Sequence, residues 1–185
     1  MKIAVYCSSS NRIPLAYLRL GDFIGGWIAA NGHSLVFGGA TGGLMSRISE
    51  SFRRVLPHAL GEQKLIGIVP EGIVKSGRKA DYCDELHVVA NMNERKQLMR
   101  ETADCFVCLP GSYGTLDEMF DVIAAGTVNE HKKSIYILNY KNFYAGLKQE
   151  IEHMRSLSFI PQEEFYSPCF VDTMDELTAA LNSHK

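Results

Sequence analysis

The sequence predicts an α/β fold in which a mostly parallel sheet carries helices on both faces. Short apolar runs of strand length alternate with longer amphipathic runs of helix length, which is typical of βαβ units. Glycine-rich loops follow two of the apolar runs, as is common where parallel strands end. The 185 residues are enough for one domain with a sizeable core, and no repeat or linker divides residues 1–185.

Each strand is predicted from a short apolar run that ends at a turn residue or a proline. Pro70, for example, ends the third run. The predicted strands are Lys2–Cys7, Ser34–Phe37, Leu65–Val69, Leu86–Val89, Asp104–Leu109 and Ser134–Leu138. Because a helix is predicted in most of the intervals between them, the order favours a doubly wound, Rossmann-like sheet.

Each helix is predicted from its apolar periodicity and from boundary residues. Pro14 and Gly32 bound the first helix, and Asn91 is a suitable N-cap for the third. The predicted helices are Pro14–Ala30, Leu44–Leu56, Met92–Ala103, Thr115–Thr127, Phe143–Met154 and Met174–Leu181. The polar stretch Glu71–Glu85, which contains Lys75, Arg78 and Lys79, is predicted to be a loop that covers a site.

The composition argues against nucleic-acid and membrane partners. Apolar residues make up 46% and charged residues 22%, as in ordinary globular proteins. The net charge is −2 and no basic stripe is visible. No apolar run approaches the roughly 20 residues of a membrane helix, and the run after Lys2 resembles a strand more than a signal peptide. We therefore expect a cytoplasmic protein.

Cysteine and histidine spacing predicts neither a disulfide framework nor a metal site. The five cysteines are odd in number, which favours reduced thiols. Cys105 and Cys108 form a C-x-x-C pattern, but they lie in an apolar strand, where residues three apart face opposite sides. The six histidines show no ligand spacing. We expect no metal and no cofactor.

The first glycine-rich loop, G-G-A-T-G-G at residues 38–43, matches neither common nucleotide fingerprint. Ala40 stands where the dinucleotide motif needs its second glycine, and Leu44 stands where a Walker loop needs lysine. Four glycines in six positions nevertheless favour close approach to a ligand.

The second glycine-rich loop, at residues 109–118, is suited to a phosphate. Gly111 and Gly114 permit tight backbone, and Thr115 is predicted to cap the following helix, whose N–H groups attract anions. Glu118 follows Thr115 by three residues. This spacing fits a capping box and a catalytic carboxylate equally well, and both interpretations stay open at this point.

Two cations lie in the first turn of the helix that Asn91 opens. The helix dipole favours acidic side chains in the first turn, so the positive charges of Arg95 and Lys96 run against this preference. They are either a solvated charged face or an anion site, for which arginine is well suited because it binds phosphate through two hydrogen bonds.

These elements together resemble the Lonely Guy (LOG) family of cytokinin riboside 5′-monophosphate phosphoribohydrolases, which also carries the older label lysine decarboxylase. The family pairs M-x-x-R-K with P-G-G-x-G-T-x-x-E. The matching segments here are residues 92–96, 110–118, 38–46 and 7–10, with weaker matches at Lys133 and at residues 142–144. The resemblance covers nearly the whole chain.

The resemblance implies a Rossmann-like fold, a homodimer at least, and a site for a small nucleotide. It implies that Arg95 and Glu118 are the catalytic pair, with the ionised carboxylate beside the ribose. Asp121, one turn after Glu118, could tune the pKa of Glu118. The expected substrate-binding residues are Ser9, Gly38, Gly39, Gly43, Met45, Met92, Lys96, Gly111, Ser112, Gly114 and Thr115.

Departures from the family pattern leave open which base the substrate nucleotide carries. Ser112, Ala40, Ser46 and Ser8 replace family glycines, and residues 124–129 differ from the family's pocket wall. A cytokinin nucleotide, AMP or another nucleotide are therefore all compatible with the sequence. A non-catalytic carrier of a nucleotide or of molybdenum cofactor is the main alternative. A pyridoxal phosphate enzyme is a weaker alternative, in which Lys96 is the candidate for the lysine that forms the Schiff base.

Overall fold

The computed structural model describes residues 1–58, 61–161 and 166–183, and these residues form one seven-stranded parallel sheet. The strands are β1 Lys2–Tyr6, β2 Ser34–Phe37, β3 Leu65–Pro70, β4 Glu85–Val89, β5 Cys105–Cys108, β6 Ile135–Leu138 and β7 Cys169–Val171. Their order is β4-β3-β2-β1-β5-β6-β7, with β1 at the centre. All six strand pairs are parallel.

Helices cover both faces of this sheet, as a doubly wound fold requires. They are α1 Leu15–Ala30, α2 Gly43–Val55, α3 Glu71–Lys75, α4 Met92–Thr102, α5 Tyr113–Thr127, α6 Ala145–Ser156 and α7 Met174–Ser183. Short 3-10 turns occur at Leu56–His58 and Tyr140–Asn142. The predicted α/β class and Rossmann-like arrangement are confirmed.

The sheet has one apolar core on each face because successive residues of a buried strand point to opposite sides. On one face, Ile3 and Leu35 pack with residues of α1, α2 and α7. On the other, Ala4 and Val36 pack with residues of α4 and α5. Cys105 and Cys108 lie on different faces, as their spacing predicts.

One strand and one α-helix were not predicted from the sequence. The strand β7 is only three residues long, and pairing with β6 defines it more than its own composition does. The stretch Glu71–Glu85, predicted to be a loop, contains the short helix α3. It starts directly after Pro70, and Glu71 and Lys75 form an i,i+4 ion pair of 3.1 Å across it.

Two predicted helix starts were wrong. Helix α5 begins at Tyr113 with Ser112 as its N-cap residue, so Thr115 lies inside the helix. Helix α6 begins at Ala145, because the chain before it forms a 3-10 turn in which Lys141 has a positive φ. Among the residues described, no helix has the length and apolar character to cross a membrane.

Candidate active site

The loops that follow β1, β2, β3 and β5 surround a cavity of about 270 Å³. Ligands of open α/β sheets bind at the carboxyl ends of the strands, near the point where the connections leave a central strand in opposite directions. In this sheet that point lies between β1 and β5. Most predicted site residues line the cavity: Ser9, Gly38, Met45, Met92, Arg95, Ser112, Gly114, Thr115 and Glu118. The cavity wall also includes Cys7, Ser8, Ala40, Pro70, Ile73 and Arg78.

A buried ion pair between Arg95 and Glu118 is the main polar feature of the cavity. Only 9% and 8% of their side-chain surfaces are exposed. Arg95 Nη1 donates to Glu118 Oε1, and Arg95 Nε donates to the carbonyl of Ile68 at 3.0 Å. Glu118 Oε2 has no hydrogen-bond partner within the described part of the chain and remains available to a ligand. Because burying an ion pair is costly, its presence in a cleft makes Arg95 and Glu118 candidates for a functional site.

The first glycine-rich loop makes room for this pair. A Cβ on Gly38 would overlap Arg95 Nη2, so the guanidinium fills the space that a side chain would take. Gly39 and Gly43 have φ values of 62° and 52°, which favour glycine. These two residues shape the loop backbone and do not line the cavity.

Burial raises the pKa of Glu118 above its ordinary value, and the charge and hydrogen bond of Arg95 offset this only in part. Asp117 adds to the rise, and Lys96 opposes it. Asp121, which we expected to tune Glu118, forms ion pairs with Arg100 and, at 3.7 Å, with Lys96.

Cys7 and Lys96 are poor nucleophiles in this arrangement. Burial is the main cause that raises the pKa of the Cys7 thiol, and Glu118 raises it further, so the thiol stays protonated. Lys96 Nζ donates to Asp117 Oδ1 at 2.8 Å, and this hydrogen bond raises the pKa of the ammonium group. Lys96 lies outside the cavity lining, and a Schiff base needs a neutral amine within it.

The N-terminus of α5 is open to the cavity. Ser112 has an extended backbone (φ −103°, ψ −156°), and its side chain caps no helix N–H. The backbone N–H groups of Tyr113, Gly114 and Thr115 find no acceptor among the described residues. Thr115 Oγ1 occupies the space where a Cβ of Gly111 would lie, so Gly111 packs behind the cavity wall. The capping-box interpretation of Thr115 and Glu118 was therefore wrong.

The starts of α2 and α4, which also border the cavity, are largely capped. Asn11 Oδ1 accepts from Gly43 N at 2.7 Å, and the Ser8 carbonyl accepts from Leu44 N at 2.9 Å, at the start of α2. Asn91 Oδ1 accepts from two backbone N–H groups at the start of α4. The start of α5 keeps three consecutive N–H groups without a described acceptor, more than the starts of α2 and α4, and so offers the larger set of free donors to a ligand.

A segment that we call the strap, residues 77–80, forms the remaining wall. It runs antiparallel to the first glycine-rich loop, with Thr41 N donating to the Arg78 carbonyl at 2.8 Å and Ala80 N donating to the Gly39 carbonyl at 2.9 Å. This places Arg78 against the cavity. The sequence marked the segment as a possible cover, but no local signal fixes its register on residues 39–41.

The fold and the cavity define the class: a doubly wound α/β protein with a buried Arg–Glu pair and an open helix end at the switch point of its sheet. The sequence profile of the family described as "Possible lysine decarboxylase" matches residues 53–181. The "Cytokinin riboside 5′-monophosphate phosphoribohydrolase" of Mycobacterium marinum is 33% identical over 96% of this chain and 91% of its own length. The enzyme called LOG from Oryza sativa subsp. japonica is 32% identical over 99% and 73%. The chain belongs to this LOG family of phosphoribohydrolases.

A solved structure shares the fold at lower identity. The molybdenum cofactor binding protein from Rippkaea orientalis has a TM-score of 0.71 and 20% identity, and the match covers 98% of this chain and 95% of that one. At this identity the likeness concerns the fold alone, since the same fold can hold unrelated sites.

Proposed function

We propose that this protein hydrolyses the N-glycosidic bond of a purine nucleoside 5′-monophosphate and releases the free base and ribose 5-phosphate. One observation carries the proposal: the buried Arg95–Glu118 pair borders the same cavity as the uncapped start of α5. A catalytic carboxylate and an anion site are thereby held within one ligand's reach. The relatives named as phosphoribohydrolases support the same assignment.

The 5′-phosphate binds at the start of α5 in this proposal. The free N–H groups of residues 113–115 point to the helix N-terminus, where the helix dipole adds positive potential. Ser112 contributes a hydroxyl at the same place. Binding the non-reacting phosphate holds the ribose in position and contributes to the rate.

The reaction needs only water besides the nucleotide. The oxygen of water bonds to C1′, the C1′–N9 bond breaks, and its electron pair and the water proton go to the base. Positive charge develops on the ribose ring in the transition state, as in other glycoside cleavage. Glu118 stabilises this charge through Oε2, its free carboxylate oxygen. Arg95 positions the carboxylate, and its charge and hydrogen bond favour the ionised form against the effect of burial.

Product analysis by chromatography tests the proposal. Wild-type protein is incubated with AMP, IMP, GMP and isopentenyladenosine monophosphate, and with adenosine as the substrate that lacks the phosphate. We expect free base and ribose 5-phosphate in equal amounts from at least one monophosphate and far less base from adenosine. Nucleotide binding without any release of base would refute hydrolysis and favour the non-catalytic carrier.

The assembly and location of the protein stay predictions. The resemblance implies a homodimer at least, and the composition predicts a cytoplasmic protein. Sedimentation analysis with and without AMP would test the first of these expectations.

A further inference from the structure

The strap brings an exposed arginine, Arg78, to the cavity wall. Arg78 Nη2 donates to the Thr41 carbonyl at 3.1 Å, and no acidic side chain in the described part of the chain forms an ion pair with Arg78. Its neighbour Lys79, by contrast, is paired with Asp81 at 2.7 Å. Most of the five N–H donors of Arg78 therefore remain free for a ligand.

The guanidinium of Arg78 lies close to Ser9, where two pockets meet. Beside the main cavity is a polar pocket, which is lined by Ser9, Asn11, Thr41, Gly42, Ser46 and Arg78. Ser9 and Arg78 line both the main cavity and this polar pocket. A Cβ at Gly42 would lie 2.7 Å from the Ser9 carbonyl oxygen and 3.6 Å from Arg78 Nη2. The Ser9 backbone and the guanidinium therefore both lie against Gly42.

The turn that contains Ser9 also contacts the loop that leads into α5. Ser8 N donates to the Pro110 carbonyl at 3.3 Å. Pro110 lies two residues before Ser112, the N-cap residue of α5, and Ser8, Ser9 and Ser112 all line the main cavity. A chain of short contacts thus runs from the loop before α5 through Ser8 and Ser9 to the Arg78 guanidinium.

The charges around the two pockets favour an anion beside Arg78. Among the described residues that line these pockets, the charged side chains are Arg78, Arg95 and Glu118. Arg95 and Glu118 pair with each other, so the charge of Arg78 is left for a ligand. The phosphate is the charged group of a nucleoside 5′-monophosphate, whereas the base and the ribose are neutral. Arg78 therefore attracts the phosphate more strongly than any other part of the nucleotide.

We propose that Arg78 binds the 5′-phosphate together with the start of α5 and makes the site selective for nucleotides over nucleosides; this inference rests on the phosphate site of the proposed function. A phosphate has three terminal oxygens, so the N–H groups of residues 113–115 and the guanidinium bind different oxygens of the same group. Hydrogen bonds between arginine and phosphate are charge-assisted and stronger than those between neutral groups. The strap thereby adds a side-chain charge to a site whose other donors are backbone N–H groups and hydroxyls.

Calorimetry with the two parts of the substrate tests the inference. Ribose 5-phosphate carries the phosphate without a base, and adenosine carries the base without a phosphate. We expect Arg78→Gln to weaken the binding of ribose 5-phosphate roughly tenfold or more and to leave the binding of adenosine unchanged, because the lost hydrogen bonds go to a charged group. Arg78→Lys should retain part of the affinity, since it keeps the charge but not the paired donors. Lys79→Gln is the control and should bind like the wild type, because Lys79 lines neither pocket.

The outcomes separate this inference from the proposed function. If Arg78→Gln binds ribose 5-phosphate as the wild type does, or if the wild type does not bind it, the inference is overturned even where AMP is hydrolysed. An equal loss of ribose 5-phosphate and adenosine binding also overturns it, because Arg78 would then maintain the shape of the cavity. If ribose 5-phosphate binding depends on Arg78 but no nucleotide is hydrolysed, the inference stands and the proposed function fails.

Discussion

Gly38 shows how a single missing side chain supports the catalytic pair. Because a Cβ there would overlap Arg95 Nη2, Gly38→Ala displaces the guanidinium from Glu118. We expect kcat to fall about 100-fold, since small misplacements in a catalytic site have effects of that size. Gly146→Ala is the control, because nothing lies within 4 Å of a Cβ at that position. Equal activity of the two variants would disprove this role of Gly38.

The pH profile reports the electrostatics of Glu118. Its pKa is raised chiefly by burial, so kcat/KM should fall with decreasing pH through a midpoint above the ordinary value of 4.5. The positive charge of Lys96 favours the carboxylate, so Lys96→Met moves the midpoint to higher pH. The negative charge of Asp117 disfavours it, so Asp117→Asn moves the midpoint to lower pH. Shifts in the same direction for both variants would rule out Glu118 as the titrating group.

The sequence predicted which residues belong to the candidate site better than it predicted how those residues contact one another. Arg95 and Glu118 followed from the family motifs, but their burial against each other depends on where β3 places Ile68. Gly39 and Gly43 were expected at the ligand, yet they shape the loop, because a glycine pattern does not distinguish ligand approach from packing. Lys96 was expected in the site and instead pairs with Asp117 at its edge.

At the scale of elements, the starts of α4 and α5 differ in capping. Asn91 Oδ1 accepts from two N–H groups of α4, whereas Ser112 caps none in α5. Asn91→Ala should therefore lower the free energy of unfolding by about 1 kcal/mol. Ser112→Ala should lower it by less than about 0.5 kcal/mol. Denaturant unfolding of both variants measures the difference, and a larger loss for Ser112→Ala would contradict the open helix end.

Local sequence patterns predicted most of the helices and strands, and each wrong or missing prediction has a local cause. Thr115 is a good N-cap by type, but α5 starts two residues earlier, where the extended backbone of Ser112 ends the loop. The φ of −103° at Ser112 also explains why serine can replace the family's glycine there without strain. The strand β7 has three residues, too few for a periodicity signal.

At the scale of the molecule, the strand order brings loops that are distant in the sequence together around one cavity. Alternating strands and helices predict a parallel sheet, but they do not fix the order β4-β3-β2-β1-β5-β6-β7. That order brings the strap, the first glycine-rich loop and the start of α5 to one edge of the sheet, where they share the cavity. The fold alone does not assign the activity, since a molybdenum cofactor binding protein shares it at a TM-score of 0.71.

The catalytic role of Glu118 is tested most directly by measuring the release of base and ribose 5-phosphate by Glu118→Gln beside the wild type. Glu101→Gln, an exposed acid on α4 that contacts Gln97, is the matched control. We expect Glu118→Gln to lose at least about 100-fold in kcat while it still binds nucleotide, because it lacks the charge that stabilises the transition state. Glu101→Gln should retain full activity. Undiminished turnover by a folded Glu118→Gln would contradict the assignment of Glu118 as the catalytic carboxylate.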